Sequence, residues 1–115
     1  MALPPAPLGP KHLTVTGLAR TDIDEHLAHI AEQADLDSAL RFADVIDATL
    51  AKLAWLGHSG VSREWISPGL RMTMLGNYCI YFRVTATETR ILRFLHGARD
   101  VSQIAFDQPQ ERKSS

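Results

Sequence analysis

The stretch from Gly69 to Asp100, GLRMTMLGNYCIYFRVTATETRILRFLHGARD, decides the fold because apolar residues alternate with polar ones along most of it. It divides into three predicted strands, at residues 70–74, 78–84 and 89–96. Gly76 and Asn77 form the two-residue turn of a hairpin between the first two strands. The third strand is apolar on both faces, which indicates a position in the middle of a sheet.

Upstream of this stretch the apolar residues recur at spacings of three and four, the period of an amphipathic helix. A first helix is predicted to begin at Thr21, which forms a capping box with Asp24. A second is predicted from about Leu36 to Leu56, with Asp35 and Asp37 as the candidate caps and Gly57 at its end. The predicted buried sides consist of Ile23, Leu27, Ile30 and Ala34, then Ala39, Phe42, Ala43, Ile46, Leu50 and Leu53, with Leu36 and Leu40 widening the second stripe. The short link predicts an antiparallel helical hairpin.

The remaining segments complete an α+β fold. A short strand is predicted over 11–16 and a loop over 58–69, so the element order is β-α-α-β-β-β. A helical hairpin packed on one face of a small antiparallel sheet buries both apolar surfaces. A short C-terminal helix is also predicted from Ala98 to Phe106. The expected division is a proline-rich disordered lead-in, a single domain and a polar tail, at residues 1–10, 11–106 and 107–115.

The overall composition is that of an ordinary globular protein, with 45% apolar and 22% charged residues. A single cysteine, Cys79, excludes an intrachain disulfide and suits a reducing cytoplasm. No apolar run is long enough to cross a bilayer, and residues 1–10 lack the basic start of a signal peptide. The net charge of -1 argues against direct, specific binding of nucleic acid. We therefore expect a cytoplasmic protein that does not associate with membranes.

Four motifs in the predicted helices and strands resemble those of the RelE/ParE toxin superfamily, and of its ParE branch in particular. They are SALRFADVID at 38–47, SPGLR at 67–71, NYCIYFRV at 77–84 and ILRFLHGARD at 91–100. The last two, which are strand motifs, are the more specific. The resemblance extends from about Leu13 to Asp100, which is most of the chain.

The resemblance implies a toxin that a cognate antitoxin holds inactive. In ParE-like proteins a disordered antitoxin segment lays a helix against the helical hairpin and an extended piece along the sheet. The residues expected to receive this segment are Leu27, Ile30, Phe42, Ile46 and Leu50. The ParE branch further implies that the toxin inhibits DNA gyrase by protein contact. The side chains expected to contact the target are Trp65, Arg71, Arg93, His96 and Arg99.

Two alternatives remain open. The RelE branch cleaves messenger RNA on the ribosome, and for that reaction Arg71, Arg83 and His96 are the candidate catalytic residues. Strand alternation predicts that Arg71 and Arg83 share the outward face of their hairpin and approach each other. Solvated or acid-paired arginines are the more usual interpretation, so the sequence favours a toxin that is not an enzyme. The third possibility is a detoxified module that only binds an antitoxin.

No cofactor or metal is expected. His26 and His29 lie three positions apart on the first predicted helix, a spacing that can bind metal, but no third ligand accompanies them. A solvated helix face is therefore the favoured interpretation of this pair. The sequence also contains neither a glycine-rich phosphate loop nor a zinc-binding pattern.

Overall fold

A computed structural model of the chain describes residues 11–56, 60–97, 101 and 104–106. Within these residues the elements are β1 (His12–Val15), α1 (Gly17–Gln33), α2 (Leu36–Leu56), β2 (Val61–Ser62), β3 (Arg71–Leu75), β4 (Tyr78–Val84) and β5 (Glu88–His96). The strands form one sheet in the order β1-β5-β4-β3-β2. The predicted α+β fold is confirmed, and β5 occupies the interior position that its two apolar faces predict.

The sheet differs from the prediction in two respects. It is mixed rather than wholly antiparallel, because β1 pairs with β5 in parallel, with His12 opposite Glu88. Apolar alternation does not encode the direction of pairing, so the sequence could not predict this arrangement. The predicted loop over 58–69 also contains β2, whose Val61 pairs with Met72. Two residues are too few to produce a detectable period.

The first helix begins earlier than predicted, at Gly17 rather than at Thr21. Thr16 is the N-cap, since its hydroxyl accepts a hydrogen bond from the Ala19 amide at 3.2 Å. The same hydroxyl donates to the Leu92 carbonyl of β5 at 3.2 Å. The helix therefore begins at a cap that also hydrogen-bonds to the sheet, and not at the capping box predicted for Thr21 and Asp24, which would involve the helix alone.

The second helix has the predicted bounds, and Asp35 caps it by accepting from the Ser38 amide at 2.7 Å. This hydrogen bond lowers the pKa of the Asp35 carboxyl. Leu36 and Leu40 do not extend the buried stripe as expected, because 64% and 56% of their surfaces are exposed. Gly57 lies outside the described residues. No helix in the described part is long and apolar enough to cross a membrane.

Apolar side chains cover both faces of the sheet. On the helix face, the core is formed by Ala19, Ile23, Ile46, Leu50, Leu53, Ile80, Phe82, Ile91 and Phe94. On the outer face, a second cluster consists of Leu70, Met72, Cys79, Tyr81, Leu92, Leu95 and Phe106, with Ile66, Val101 and Ile104 packed against it. Of the helix predicted over 98–106, the described residue Val101 lies in a 3₁₀ turn, whereas the prediction is wrong for residues 104–106, which are not helical. They extend across the outer face, and the Tyr81 and Phe106 rings meet edge to face at 5.1 Å.

An ion pair joins α1 to β5 beyond the end of β1. The Asp22 carboxylate accepts from Arg93 Nε at 2.7 Å and from Arg93 Nη2 at 2.9 Å. It also accepts from the Phe94 amide at 3.0 Å, so the carboxylate continues the hydrogen bonding of the β5 edge where β1 has ended. Both side chains are largely shielded from solvent, with 9% of Asp22 and 12% of Arg93 exposed. The contact therefore fixes the position of α1 along the sheet.

Asp22→Asn should lower the free energy of unfolding by about 3 kcal/mol, because it leaves a shielded guanidinium without its counter-charge. The asparagine oxygen can still accept from the Phe94 amide. Asp22→Ala should therefore cost about 1 kcal/mol more. Urea denaturation monitored by circular dichroism measures both values.

The matched control is Glu88→Gln, which removes the charge from a more exposed pair with Arg90 at 3.8 Å. That change should cost less than about 1 kcal/mol. Equal effects of Asp22→Asn and Glu88→Gln would contradict the role assigned to the ion pair between Asp22 and Arg93.

Candidate functional site

The arginines predicted to form a catalytic pair do not share a face of the sheet. Arg71 lies opposite Phe82 in the register of β3 and β4, and register partners point to the same side. Arg83, the next residue, must then point to the opposite side. The prediction that Arg71 and Arg83 approach each other across an outward face is therefore wrong. A shift of one residue in the pairing of β3 with β4 would put Arg71 and Arg83 on the same face. The alternation within a single strand does not show which pairing is adopted.

His96 is also distant from Arg71. It lies opposite Tyr78, whereas Arg71 lies opposite Phe82, four residues further along β4. This difference corresponds to about 13 Å along the strand. The His96 ring packs edge-on against Tyr78, with centroids 5.7 Å apart. The three candidate nuclease residues thus occupy two faces and two ends of the sheet.

Arg83 instead anchors the loop that precedes β3. Its Nε donates to the Pro68 carbonyl at 3.0 Å, and its Nη2 donates to the Ser67 hydroxyl. Arg71 binds the start of the same loop through the Gly60 carbonyl, at 3.1 Å. Both guanidiniums therefore have structural partners in the loop.

The loop from Gly60 to Leu70 presents an exposed tryptophan on an ordered turn. Arg63 donates its amide to Leu70 and accepts the amide of Ile66, at 2.7 and 2.8 Å. The Glu64 carboxylate accepts from the Gly69 amide at 2.7 Å. Trp65, which follows Glu64, exposes 75% of its surface. Sequence reasoning identified Trp65 but not the anchoring role of Glu64, because a carboxylate five positions from a glycine has no characteristic pattern.

The remaining candidate contact residues differ widely in accessibility. Arg93 is engaged by Asp22 and also donates to the Ala105 carbonyl at 2.8 Å. Ile46 and Leu50, predicted to meet an antitoxin, are only 1% and 3% exposed and fill the core. The other residues predicted for that role, Leu27, Ile30 and Phe42, are half-buried. Arg99 lies outside the described residues.

The side of α2 beside the core stripe carries two exposed leucines. Leu36 and Leu40 are four residues apart, so they lie on one side of the helix. Val45, which is 46% exposed, lies on a different side. We call Leu36 and Leu40 the α2 leucine pair.

Aromatic rings from α1, α2, β4 and β5 meet at the end of the sheet near His96. The Tyr78 ring stacks on Phe94 at 5.0 Å, and the His26 ring of α1 meets Tyr78 edge-on at 4.6 Å. Phe42 of α2 approaches Tyr78 at 5.5 Å. Burial lowers the pKa of His26 below its ordinary value of 6.5, although Asp22 raises it in part and His96 lowers it further. His26 of α1 therefore packs against Tyr78 and Phe94 as a neutral ring at neutral pH.

The metal interpretation of His26 and His29 gains no support. Across residues 11–56, 60–97, 101 and 104–106, no group of three or more histidine, cysteine or acidic side chains could hold a metal ion. His29 is exposed, whereas His26 is partly buried against the sheet.

We expect the free energy of unfolding to fall as the pH is lowered through and below 6.5. The folded state disfavours the protonated His26 ring, whereas the unfolded state accepts the proton at its ordinary pKa, so the stabilisation present above that pH is lost in acid. His26→Phe keeps a ring in the aromatic cluster and should reduce the slope. Urea titrations at pH 7.5 and 5.5 measure it. His12→Gln, an exposed control, should retain the wild-type slope, and an unchanged slope in His26→Phe would contradict the assignment.

The chain matches the family model for the ParE toxin of type II toxin–antitoxin systems of the ParDE type, over residues 13–101. It resembles the solved structure of the chromosomal ParDE toxin–antitoxin system from P. aeruginosa, with 26% identity and a TM-score of 0.66 over 75% of this chain and 95% of that one. It also has the fold of a chain in the toxin–antitoxin complex RelBE2 from Mycobacterium tuberculosis, with 21% identity and a TM-score of 0.53 over 81% and 98% of the two chains. A comparison with curated proteins finds no match.

The family match begins within β1 and includes both helices and the three longer strands described above. It therefore covers the fold, including the ion pair between Asp22 and Arg93 and the loop that carries Trp65. The resemblance seen in the strand motifs is confirmed: the chain belongs to the ParE toxin family of type II toxin–antitoxin systems.

Proposed function

We propose that this toxin inhibits DNA gyrase by binding it, without cutting RNA, and that a cognate antitoxin neutralises it in the cytoplasm. The proposal that the toxin does not cut RNA rests on one observation: the candidate nuclease residues lie far apart on the sheet. Arg71 and Arg83 point to opposite faces, and His96 lies about 13 Å along the sheet from Arg71. General acid–base cleavage of RNA needs such groups around one phosphate.

The covering of the outer face supports the same conclusion. Tyr81 and Leu95 are buried there, and Phe106 packs over them from the C-terminal segment. Burial raises the pKa of the Tyr81 phenol above its usual 10.0, so the hydroxyl stays protonated at neutral pH and gives up its proton less readily than an exposed tyrosine. An apolar cluster offers little to a phosphate backbone, which is bound mainly by cations.

Trp65 is the side chain best suited to contact a protein target. It combines the large exposed area of a tryptophan with a turn held by the Glu64 and Arg83 hydrogen bonds. Tryptophans are frequent binding hot spots, and an ordered loop loses little conformational entropy on binding.

The purified protein should inhibit supercoiling by DNA gyrase and stabilise gyrase–DNA cleavage complexes. Trp65→Ala should weaken this inhibition by on the order of tenfold or more, as expected for a hot spot. Trp55→Ala, which removes the other exposed tryptophan, is the matched control and should leave inhibition unchanged.

The alternative activities give different results in parallel assays. A ribosome-dependent nuclease would cleave messenger RNA in a translation extract and lose that activity on alanine substitution of Arg71, Arg83 and His96. A detoxified module would leave both gyrase and translation unaffected. Either outcome would overturn the gyrase proposal.

The α2 leucine pair is the surface that we propose for the antitoxin helix. Leu36 and Leu40 are more than half exposed and lie on one side of α2, beside its buried stripe. Amphipathic helices that dock in apolar grooves use residues at this spacing as anchors. This replaces the expected role of Ile46 and Leu50, whose side chains are enclosed in the core.

Leu36→Glu combined with Leu40→Glu should weaken binding of the antitoxin encoded by the neighbouring gene by about 2 kcal/mol or more, because each change puts a charge where an apolar anchor is needed. Titration calorimetry measures the loss, and Val45→Glu controls for added charge on another side of α2. Toxicity without antitoxin should persist. Full antitoxin affinity in the double variant would contradict the assignment.

A further inference from the structure

A cleft opens between the start of β1 and the end of α2, and none of its lining residues belongs to the α2 leucine pair or to the loop of Trp65. It has a volume of about 370 Å³ and is lined by Lys11, His12, Leu13, Ala51, Ala54 and Trp55. Residues 51, 54 and 55 lie on one side of α2, and the two alanines leave the space that the Trp55 ring borders. Trp55 itself is 62% exposed.

The lining of the cleft is mainly apolar, because the one permanent charge among its residues is directed away. Lys11 Nζ donates to the Thr85 carbonyl at 2.8 Å, at the turn between β4 and β5. The Lys11 amide donates to the Ala54 carbonyl at 3.0 Å, which ties the chain to the end of α2. An occupant should therefore be apolar and uncharged.

We propose that the cleft binds residues Leu3 to Leu8 of this same chain. The segment reads LPPAPL, with three prolines, two leucines, an alanine and no charge, which matches the lining. Proline-rich segments dock on exposed aromatic rings because their extended backbone is already ordered. The inference concerns the isolated toxin and does not depend on the proposed function.

The position of the segment in the sequence makes it the favoured occupant. Leu8 precedes Lys11 by three residues, and Lys11 is itself a wall of the cleft. Gly9 and Pro10, which lie between them, form a dipeptide that favours a turn and allows the chain to reverse. So short a tether gives the segment an effective concentration of about millimolar at the cleft. A separate partner of similar affinity would have to be present above that concentration to displace it.

The docked segment would also cover an edge of the sheet. β1 is an edge strand, with β5 as its neighbour. Exposed edges invite pairing with other chains, and proline protects them because it has no amide hydrogen to donate. Residues Leu3 to Leu8 would thus fill the cleft and shield β1 at once.

Acrylamide quenching of tryptophan fluorescence tests the proposal in the full chain. Trp65→Phe leaves Trp55 as the reporter, and Trp55→Phe leaves Trp65. Because Trp55 and Trp65 have similar exposed fractions, 62% and 75%, their lifetime-corrected quenching constants should be similar if nothing further covers either ring. We expect Trp55 to be quenched markedly less than Trp65.

Replacing Leu3, Pro4, Pro5, Pro7 and Leu8 together by serine should raise the quenching of Trp55 to the level of Trp65, and leave Trp65 unchanged. Nuclear Overhauser contacts between the Trp55 indole and proline or leucine protons of residues 3–8 should appear in the unsubstituted chain. Unchanged quenching of Trp55 and no such contacts would overturn the proposal. Shielding that depends on protein concentration would also overturn it, by identifying a second copy as the occupant.

Discussion

The Asp22 carboxylate and the edge of β5 form the contact on which the arrangement of helices and sheet depends. β1 covers the first half of that edge and ends at Val15, after which α1 leaves the sheet plane. Without Asp22, the Phe94 amide would lose its acceptor and the Arg93 guanidinium would lose its counter-charge. Asp22 satisfies both groups, and Thr16 satisfies the Leu92 carbonyl just before them. A helix that supplies hydrogen bonds in place of a strand can lie close against an interior strand.

This arrangement also separates the residues that stabilise the fold from the exposed residues that are proposed to contact partners. Phe94 and Ile46 are buried between α2 and the sheet. The middle of the helical hairpin therefore forms part of the core and is not accessible to a partner. The exposed apolar groups lie at the periphery, in the α2 leucine pair and in the loop of Trp65, which the Glu64 and Arg83 hydrogen bonds hold. Changes at the periphery can therefore alter a partner contact with little effect on stability, whereas changes at Asp22 do the reverse.

The sequence predicts the elements better than their mutual arrangement, for physical reasons. Apolar periodicity located α2 and β4, and the turn at Gly76 has the positive φ of 58° that a tight hairpin requires of glycine. The start of α1 was mispredicted because Thr16 is selected by a contact with Leu92, 76 residues away. Arg71 and Arg83 lie on opposite faces because of the register in which β3 pairs with β4, and the sequence of a single strand does not specify that register. Trp65 was identified by its residue type, but its exposure follows from tertiary hydrogen bonds.

The interior strand that joins β1 to the rest of the sheet is also the last of the five to be synthesised. β5 hydrogen-bonds to β1 and β4, and its residue Ile91 lies opposite Val15 across most of the chain. A nascent polypeptide that ends before Glu88 has both helices and the β3–β4 hairpin but lacks the strand that joins them into one core. Such long-range pairing forms late and cooperatively. Interrupted translation therefore releases fragments without the folded toxin, and the complete protein acquires its surfaces only after the ribosome has passed this strand.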